Sequence, residues 1–197
     1  TETGKRPATC VCDVTMQEQV DGLLQSAKRE LGHVDVLINN AGLGGVVHVF
    51  EMADDQWTRV IDVTLNSVFR MSRAFLPSMY ERRSGVIVNN ASVLGWRAQK
   101  GQAHYAAAKA GVMAFTRCSA VEAAEHGVRI NAVAPSIAMH AFLAKVTTED
   151  LLAQLSAKEA FGRPAEVWEV ANVMIFLASD LSTYMAGEIV SVSSQHA

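Results

Sequence analysis

The sequence predicts an α/β protein with a parallel, doubly wound β-sheet and helices on both of its faces. Short apolar runs alternate with longer stretches of helical periodicity, and this alternation is typical of βαβ units. Three of the apolar runs end in turn-forming or polar residues, at Asn39, Ser92 and Pro135. Because such sheets bind ligands at the carboxyl ends of their strands, these three positions are expected to meet along one rim.

Individual elements follow from local signals. Thr15 and Glu18 have the spacing of a capping box, and Gly32 is expected to end the helix that they begin. A later long helix contains Pro77, a residue that bends or breaks helices. In chain order, the expected elements are strand 9–14, helix 15–31, strand 34–39, helix 54–82, strand 86–91, helix 103–125, strand 128–134, a partly helical lid 136–160, helix 166–179 and strand 188–193.

Length and composition narrow the classes of function. The 197 residues are enough for one domain with one core, and the formal net charge is −3. Neither nucleic acid nor a membrane is therefore indicated as a partner. No apolar run approaches the ~20 residues that cross a bilayer, and no secretory signal is visible, so a cytoplasmic protein is expected. The three cysteines, Cys10, Cys12 and Cys118, are expected to be buried free thiols.

Ser92, Tyr105 and Lys109 are the residues that indicate chemistry. Tyr105 and Lys109 are four positions apart, which places both on one face of a helix. An ammonium beside a phenol favours the phenolate, so Lys109 is expected to lower the pKa of Tyr105 and to make it a general acid/base. Ser92 ends an apolar run, where its hydroxyl could share a substrate oxygen with the phenol. The alternative is a solvated helix face that carries this spacing by accident.

Together with the Asn39-Asn40-Ala41-Gly42 turn, these residues resemble the short-chain dehydrogenase/reductase family. The string 101–111, Gly-Gln-Ala-His-Tyr-Ala-Ala-Ala-Lys-Ala-Gly, is most similar to its 3-oxoacyl-acyl-carrier-protein reductase branch. The resemblance runs from about Asp13 to about Gly187. It implies a Rossmann-like fold and an enzyme that interconverts a secondary alcohol and a ketone by hydride transfer, with NAD or NADP as cofactor.

The resemblance also implies roles for individual residues. Tyr105 would be the general acid/base, Lys109 would hold the nicotinamide ribose, and Ser92 would orient the substrate oxygen. No metal site is implied. The implied cofactor-binding residues are Asp13, Val14, Asn39, Ala41, Gly42, Tyr105, Lys109 and Pro135. The implied substrate-binding residues are Ser92, Leu94, Trp96, Tyr105 and His140, and the neighbouring candidates for the pocket are Val93, Arg97, Met139, Phe142 and Leu143.

A glycine-rich turn for the pyrophosphate is missing before the segment that resembles the third strand of the family. Such a turn lets the backbone of a helix N-terminus approach the phosphates. The Gly42-Leu43-Gly44-Gly45 run follows a different strand. We therefore interpret the sequence as a single domain that is N-terminally incomplete, with strand edges left unpaired. By itself it is expected not to bind a dinucleotide tightly.

Three positions depart from the family pattern. Thr64 stands where the family has an Asn that supports a proton relay, and Asn66 lies two residues further on. Ser136 replaces a Gly, and His140 replaces a Thr that touches the cofactor. The tail from Ser191 to His196 also lacks the usual Asp-Gly-Gly. We expect Thr64→Asn to keep or raise activity, because it restores the polar group of the family in a helix that tolerates Thr.

The substrate is expected to be small, either a 3-oxoacyl thioester or a bulky hydrophobic, alicyclic alcohol or ketone. Arg83 and His126 fall where carrier-protein reductases place docking residues, although a solvated helix end is the alternative for Arg82 and Arg83. The family commonly forms homotetramers, so a homo-oligomer, dimer or tetramer, is expected, with Phe69, Val112 and Phe115 as apolar contacts. A catalytically silent binding or structural relative is the alternative to an enzyme.

Overall fold

The computed structural model describes residues 7–139, 143 and 148–194. Four parallel strands form the main sheet in the order β1-β2-β3-β6, which confirms the predicted fold class. The strands of this sheet are β1 Val36–Asn39, β2 Gly85–Asn90, β3 Val128–Pro135 and β6 Ile189–Val192. A small parallel pair joins β4, Ala138–Met139, to β5, Ala165–Glu166. The helices are α1 Gln17–Leu31, α2 Asp54–Ile61, α3 Ser67–Arg82, α4 Ala103–Ala124, α5 Glu149–Ser156 and α6 Val167–Ala178.

Helices cover both faces of the sheet because successive strand residues point to opposite sides. Ile87 and Ile130 pack in one cluster with the apolar residues of α3 and α4. Val88 lies one residue after Ile87 in β2, and Val133 lies three residues after Ile130 in β3. Both therefore point to the opposite face, where they pack in another cluster with the apolar residues of α6. The near-continuous apolar character of β2 and β3 is therefore explained by burial on both faces.

A chain of buried polar side chains ties the strands to α4. The Asn39 amide of β1 donates a 2.9 Å hydrogen bond to Oδ1 of Asn89 in β2. The Asn89 amide in turn donates to Oγ1 of Thr116 in α4 at 2.9 Å, and Thr116 donates to the Val112 carbonyl at 2.8 Å. All these side chains are buried. These hydrogen bonds offset much of the cost of burying the polar groups, and they fix the ends of β1 and β2.

The predicted long helix 54–82 is interrupted, but not at its proline. Pro77 lies inside the continuous helix α3. The distortion is a single π-helical turn at 62–66, between α2 and α3. Such turns widen the helix by one residue and occur frequently at functional sites. Thr64 lies at the centre of this one.

The prediction of a strand over 9–14 is wrong. Residues 7–13 have no strand partner, although Cys12 and Val14 pack against the edge of the core. A lone segment cannot satisfy its backbone as a strand without a neighbour, and β1 pairs only with β2 in the described sheet. The cysteines are free, as expected, but Cys10 and Cys118 are exposed rather than buried.

The predicted capping box of α1 is also wrong. The N-cap position belongs to Met16, and no side chain caps the helix. The Thr15 hydroxyl instead donates to Oδ1 of Asp13 at 2.7 Å, and the Gln19 side chain accepts the Asp13 amide at 2.7 Å. The polar groups before the helix are thus satisfied by one another, which releases Thr15 from the capping role.

The predicted lid is partly described. Its helix α5 is capped by the Thr148 hydroxyl, while 140–142 and 144–147 lie outside the described residues. Among the helices that the structure describes, none is long and apolar enough to cross a membrane.

Arg129 of β3 holds the end of α6. Its Nη1 donates to the carbonyls of Leu177 and Ser182 and to the Ser182 hydroxyl, at 2.9, 3.1 and 2.9 Å, and its Nη2 donates to the Ser179 carbonyl at 3.1 Å. The last carbonyls of a helix have no partner within the helix itself. One guanidinium therefore satisfies the end of α6 and the turn that follows it.

Replacing Arg129 by Met is expected to lower the free energy of unfolding by about 2 to 4 kcal/mol, because several partly buried carbonyls lose a charged donor together. Urea denaturation followed by circular dichroism measures the change. Arg29→Met, at an exposed site in α1, is the control and should stay within about 0.5 kcal/mol of the parent. Equal losses in the two variants would contradict the assigned role.

Candidate active site

Ser92 and Tyr105 meet at the carboxyl end of β2. Ser92 lies two residues after β2 and caps a short 3-10 turn, in which its Oγ accepts the Leu94 amide at 3.2 Å. Tyr105 is in the first turn of α4 and is hydrogen-bonded to the Ser92 side chain. A strand end and a helix start thus bring two hydroxyl groups together, as the spacing in the sequence predicted.

Lys109 lies one helical turn after Tyr105 and is only 2% exposed. Its Nζ donates a 2.5 Å hydrogen bond to the carbonyl of Asn90, the last residue of β2. Burial lowers the pKa of Lys109 to about 8. The same Nζ lies 5.5 Å from the centroid of the Tyr105 ring, a distance at which a cation is attracted to the face of a ring.

The expected lowering of the Tyr105 pKa by Lys109 is not what the structure gives. Burial raises the pKa of Tyr105, and the hydrogen bond with Ser92 lowers it by less. The Lys109 ammonium donates to the Asn90 carbonyl, and its Nζ lies over the face of the Tyr105 ring. Desolvation of the phenolate therefore outweighs the stabilisation that its neighbours supply.

A loop that was not among the predicted site residues covers Tyr105. A Cβ added to Gly44 would lie 3.1 Å from Cδ2 of Tyr105, so the Gly44 backbone lies directly on the ring. The loop is anchored further on, where the Val47 amide donates to the Gly101 carbonyl at 3.0 Å. The glycines of the 42–45 run were visible in the sequence, but only as a turn that fails to match a phosphate motif.

Several of the expected cofactor residues gather at the same edge of the sheet. Val14, Asn39 and Ala41 line one cavity. Gly42 lies beside Lys109, because a Cβ added there would be 3.5 Å from Nζ.

Two other expected cofactor residues, Asp13 and Pro135, do not line this cavity. Asp13 uses its carboxylate to accept the amide and hydroxyl of Thr15, at 2.9 and 2.7 Å, and Pro135 is buried at the end of β3.

The expected substrate residues are only partly described. Leu94 and Trp96 follow Ser92 in the same turn, and Trp96 is 51% exposed. Val93 is buried in the core, which removes it as a surface for a ligand. His140 and Phe142 lie outside the described residues, so their roles stay predictions. Met139 is half-buried in the short strand β4.

The positions that depart from the family pattern have partners within the chain. Thr64 is buried, and its Oγ1 bonds both the amide and the carbonyl of Leu43, each at 3.0 Å. Asn66 donates to Oδ1 of Asp62 at 2.9 Å. The Ser136 amide donates to the Val192 carbonyl at 3.1 Å. Asn66 is therefore occupied elsewhere and does not replace the missing amide at 64.

Comparison with known proteins identifies the family. The family model described as enoyl-(acyl carrier protein) reductase matches residues 1–194. A (5R,7aS)-5-hydroxy-7a-methyl-1-oxo-2,3,5,6,7,7a-hexahydro-1H-indene-carboxyl-CoA reductase of Mycobacterium tuberculosis is 63% identical over 187 residues, or 94% of this chain and 71% of that protein. The 3-oxoacyl-acyl-carrier-protein reductase of Escherichia coli is 36% identical, over 92% of this chain and 74% of that protein.

A solved structure agrees with these relatives. The crystal structure of a short chain dehydrogenase from Mycobacterium smegmatis is 57% identical in sequence, with a TM-score of 0.82 over 95% of this chain and 70% of that one. Because the family model spans almost the whole chain and the relatives are reductases, the chain belongs to the short-chain dehydrogenase/reductase family of oxidoreductases that act on CH–OH and ketone groups, in the branch similar to 3-oxoacyl-acyl-carrier-protein reductases.

Proposed function

We propose that this protein is an NAD(P)-dependent oxidoreductase that interconverts a ring alcohol and a ketone on a bulky alicyclic CoA thioester. The observation that carries this proposal is the meeting of Ser92, Tyr105 and Lys109 at the carboxyl end of β2. The phenol is hydrogen-bonded to Ser92, and a buried ammonium lies 5.5 Å from its ring. Members of the family generally use NAD(P).

The surroundings of Lys109 fit a dinucleotide. The small cavity beside Asn39 and Ala41 could receive one edge of the adenosine side, and the backbone at Gly42 is bare next to the Lys109 ammonium. Lys109 would hold the nicotinamide ribose. When bound, the cofactor supplies or accepts the hydride. The remaining chemistry is the transfer of a proton, which falls to this chain's own side chains.

Tyr105 is the proposed proton donor to the carbonyl oxygen in the direction of reduction. Its raised pKa keeps the phenol protonated at neutral pH, which suits a general acid. Ser92 would donate its hydroxyl to the same oxygen and stabilise the negative charge that develops there. The Lys109 ammonium favours the phenolate that remains after the proton has left. The same groups run in reverse when an alcohol is oxidised.

The proposed substrate class rests on the surface beside Tyr105. Trp96 and Val46 are exposed apolar side chains, one following Ser92 and the other on the loop that packs against Gly101. They suit a bulky hydrophobic ring better than a short polar chain. The relative of 63% identity is named for a bicyclic CoA ester, which supports the same class.

A carrier-protein thioester is less well supported than a CoA ester. The Arg83 guanidinium donates to the Glu125 carbonyl at 3.1 Å, and the His126 ring stacks on Tyr80 at 4.1 Å between centroids. Arg82 is paired with Asp35 at 3.0 Å. These residues thus hold the end of α3 to its neighbours, which favours the structural interpretation of this cluster over docking.

We also propose a homo-oligomer, with a changed set of contacts. Val112 is buried within its own core and cannot contact a second subunit, contrary to the expectation. Phe115 is half-buried against the same core. Phe69 on α3, which was expected, and Val121 on α4, which was not, are exposed apolar side chains that could contact a second subunit. An exposed apolar surface on a pair of long helices is typical of a subunit interface.

Tyr105→Phe is expected to reduce turnover by about 100-fold or more, the usual scale for a general acid/base, while cofactor affinity changes little. The assay is NAD(P)H-dependent reduction of a bicyclic ketone in the full-length protein. Tyr184→Phe, at a fully exposed position, is the matched control and should retain activity. Retained turnover in Tyr105→Phe would contradict the assignment of Tyr105 as the general acid/base.

Reduction is expected to slow as the pH rises through about 8, because Lys109 is an ammonium below that pKa and a neutral amine above it. Tyr105 keeps its proton across this range, since burial raises the pKa of its phenol. Profiles of kcat/KM against pH test this in the parent and in Lys109→Met. The variant should be slow and should lack the limb near pH 8. The same limb in both proteins would show that another group titrates there.

A bicyclic ketone bearing a CoA thioester is expected to have a kcat/KM at least about tenfold above that of the free ketone, because the remote group contributes binding energy. Steady-state kinetics compare these two compounds with an acyl-carrier-protein thioester. Arg83→Ala should change kcat/KM for the CoA ester by no more than about twofold, as expected for an exposed side chain outside the site. A preference for the carrier-protein thioester that Arg83→Ala abolishes would overturn this choice of substrate.

A further inference from the structure

The segment from Leu43 to Val47 is held at both ends. At its start, the Thr64 hydroxyl accepts the Leu43 amide and donates to the Leu43 carbonyl, at 3.0 Å in both cases. At its end, the Val47 amide donates to the Gly101 carbonyl, four residues before Tyr105. We call this segment the glycine loop. It bridges the π-helical turn and the start of α4.

Between these anchors the glycine loop presents backbone to the site. A Cβ at Gly44 would lie within 3.1 to 3.5 Å of three atoms of the Tyr105 ring, and a Cβ at Gly45 would lie 3.9 Å from Nε2 of His104. A side chain at 44 would therefore require the loop or the ring to shift by a few tenths of an ångström. The absence of a side chain there lets the peptide chain rest on the phenol.

Thr64 is suited to fix this loop. It is 1% exposed, and its one hydroxyl acts as donor and acceptor to a single residue, so both backbone groups of Leu43 are satisfied. The π-helical turn at 62–66 carries this side chain between α2 and α3. Without the hydroxyl, a part-buried amide and carbonyl would lose their partner, and a movement of the loop towards water would let both groups bond to solvent instead.

We propose that Thr64 is a positioning residue for Tyr105, which it holds in place and shields from water through the glycine loop. The proposal rests on the proposed role of Tyr105 in proton transfer. Thr64 touches neither Tyr105 nor a substrate in this assignment. It fixes Leu43, Leu43 fixes Gly44, and the Gly44 backbone covers the ring. Thr64 is thus more than a shortened form of the Asn that the family places there.

The test measures access to the Tyr105 ring directly. Tetranitromethane nitrates exposed tyrosines, and mass spectrometry of peptides gives a rate for each of Tyr80, Tyr105 and Tyr184. Tyr184 is fully exposed and serves as the internal reference. Relative to Tyr184, nitration of Tyr105 is expected to be slow in the parent and about tenfold faster in Thr64→Val, the size expected when one part-buried pair of hydrogen bonds is lost.

Thr64→Ser keeps the hydroxyl and is expected to restore both the slow nitration and the parent turnover. Thr58→Val, at an exposed position in α2, is the matched control and should change neither. Gly44→Ala is a second way to loosen the contact between the glycine loop and the Tyr105 ring. It leaves Thr64 intact but pushes the loop and the ring apart by a few tenths of an ångström, so Tyr105 should again be nitrated faster and kcat should fall, with KM for the cofactor nearly unchanged.

Slow nitration of Tyr105 in both Thr64→Val and Gly44→Ala would overturn the proposal. Equal acceleration in Thr64→Val and Thr64→Ser would overturn it too, since the hydroxyl would not be the cause. Nitration needs no turnover. If neither the parent nor Thr64→Ser reduces any ketone, the proposed function fails, while the nitration rates still decide whether Thr64 holds the loop.

Discussion

The buried ammonium of Lys109 is the group on which the arrangement of the site depends. A charge removed from water needs a partner, and here that partner is the carbonyl of Asn90, freed because β2 ends at that residue. The bond locks α4 to the end of β2, and the same register places Tyr105 beside Ser92. The cost of burial appears in the lowered pKa of Lys109. The hydrogen bond to Asn90 therefore fixes the position of the ammonium, while its burial lowers the proton affinity.

Backbone groups contact both Tyr105 and its neighbour Lys109. The Asn90 carbonyl holds Lys109, and the Gly44 peptide lies on the Tyr105 ring. Backbone groups have little freedom to reorganise, which is the property that preorganised polar sites require. The raised pKa of Tyr105 follows from this enclosure. The result favours a protonated phenol at neutral pH.

Away from the site, two further sets of hydrogen bonds hold elements of the fold together: the buried Asn39–Asn89–Thr116 chain and the contacts of Arg129. The first sets the level at which β1 and β2 end, and the second closes the end of α6 against β3. Both satisfy polar groups that burial would otherwise leave without partners. The rim on which Ser92 lies is therefore supported from both sides of the sheet by hydrogen bonds rather than by apolar packing alone.

The sequence by itself determined the parallel α/β fold, most of the helices and strands, and the grouping of Ser92, Tyr105 and Lys109. These follow from local periodicity and from the fixed geometry of a helical turn. Only the tertiary structure decided that 9–14 is not a strand, that the long helix is interrupted at 62–66 rather than at Pro77, and that the Tyr105 pKa is raised. Each depends on a neighbour distant in the chain: a pairing strand, or the loop over the ring. Thr64 and Leu43 are 21 residues apart, and no local pattern could have joined them.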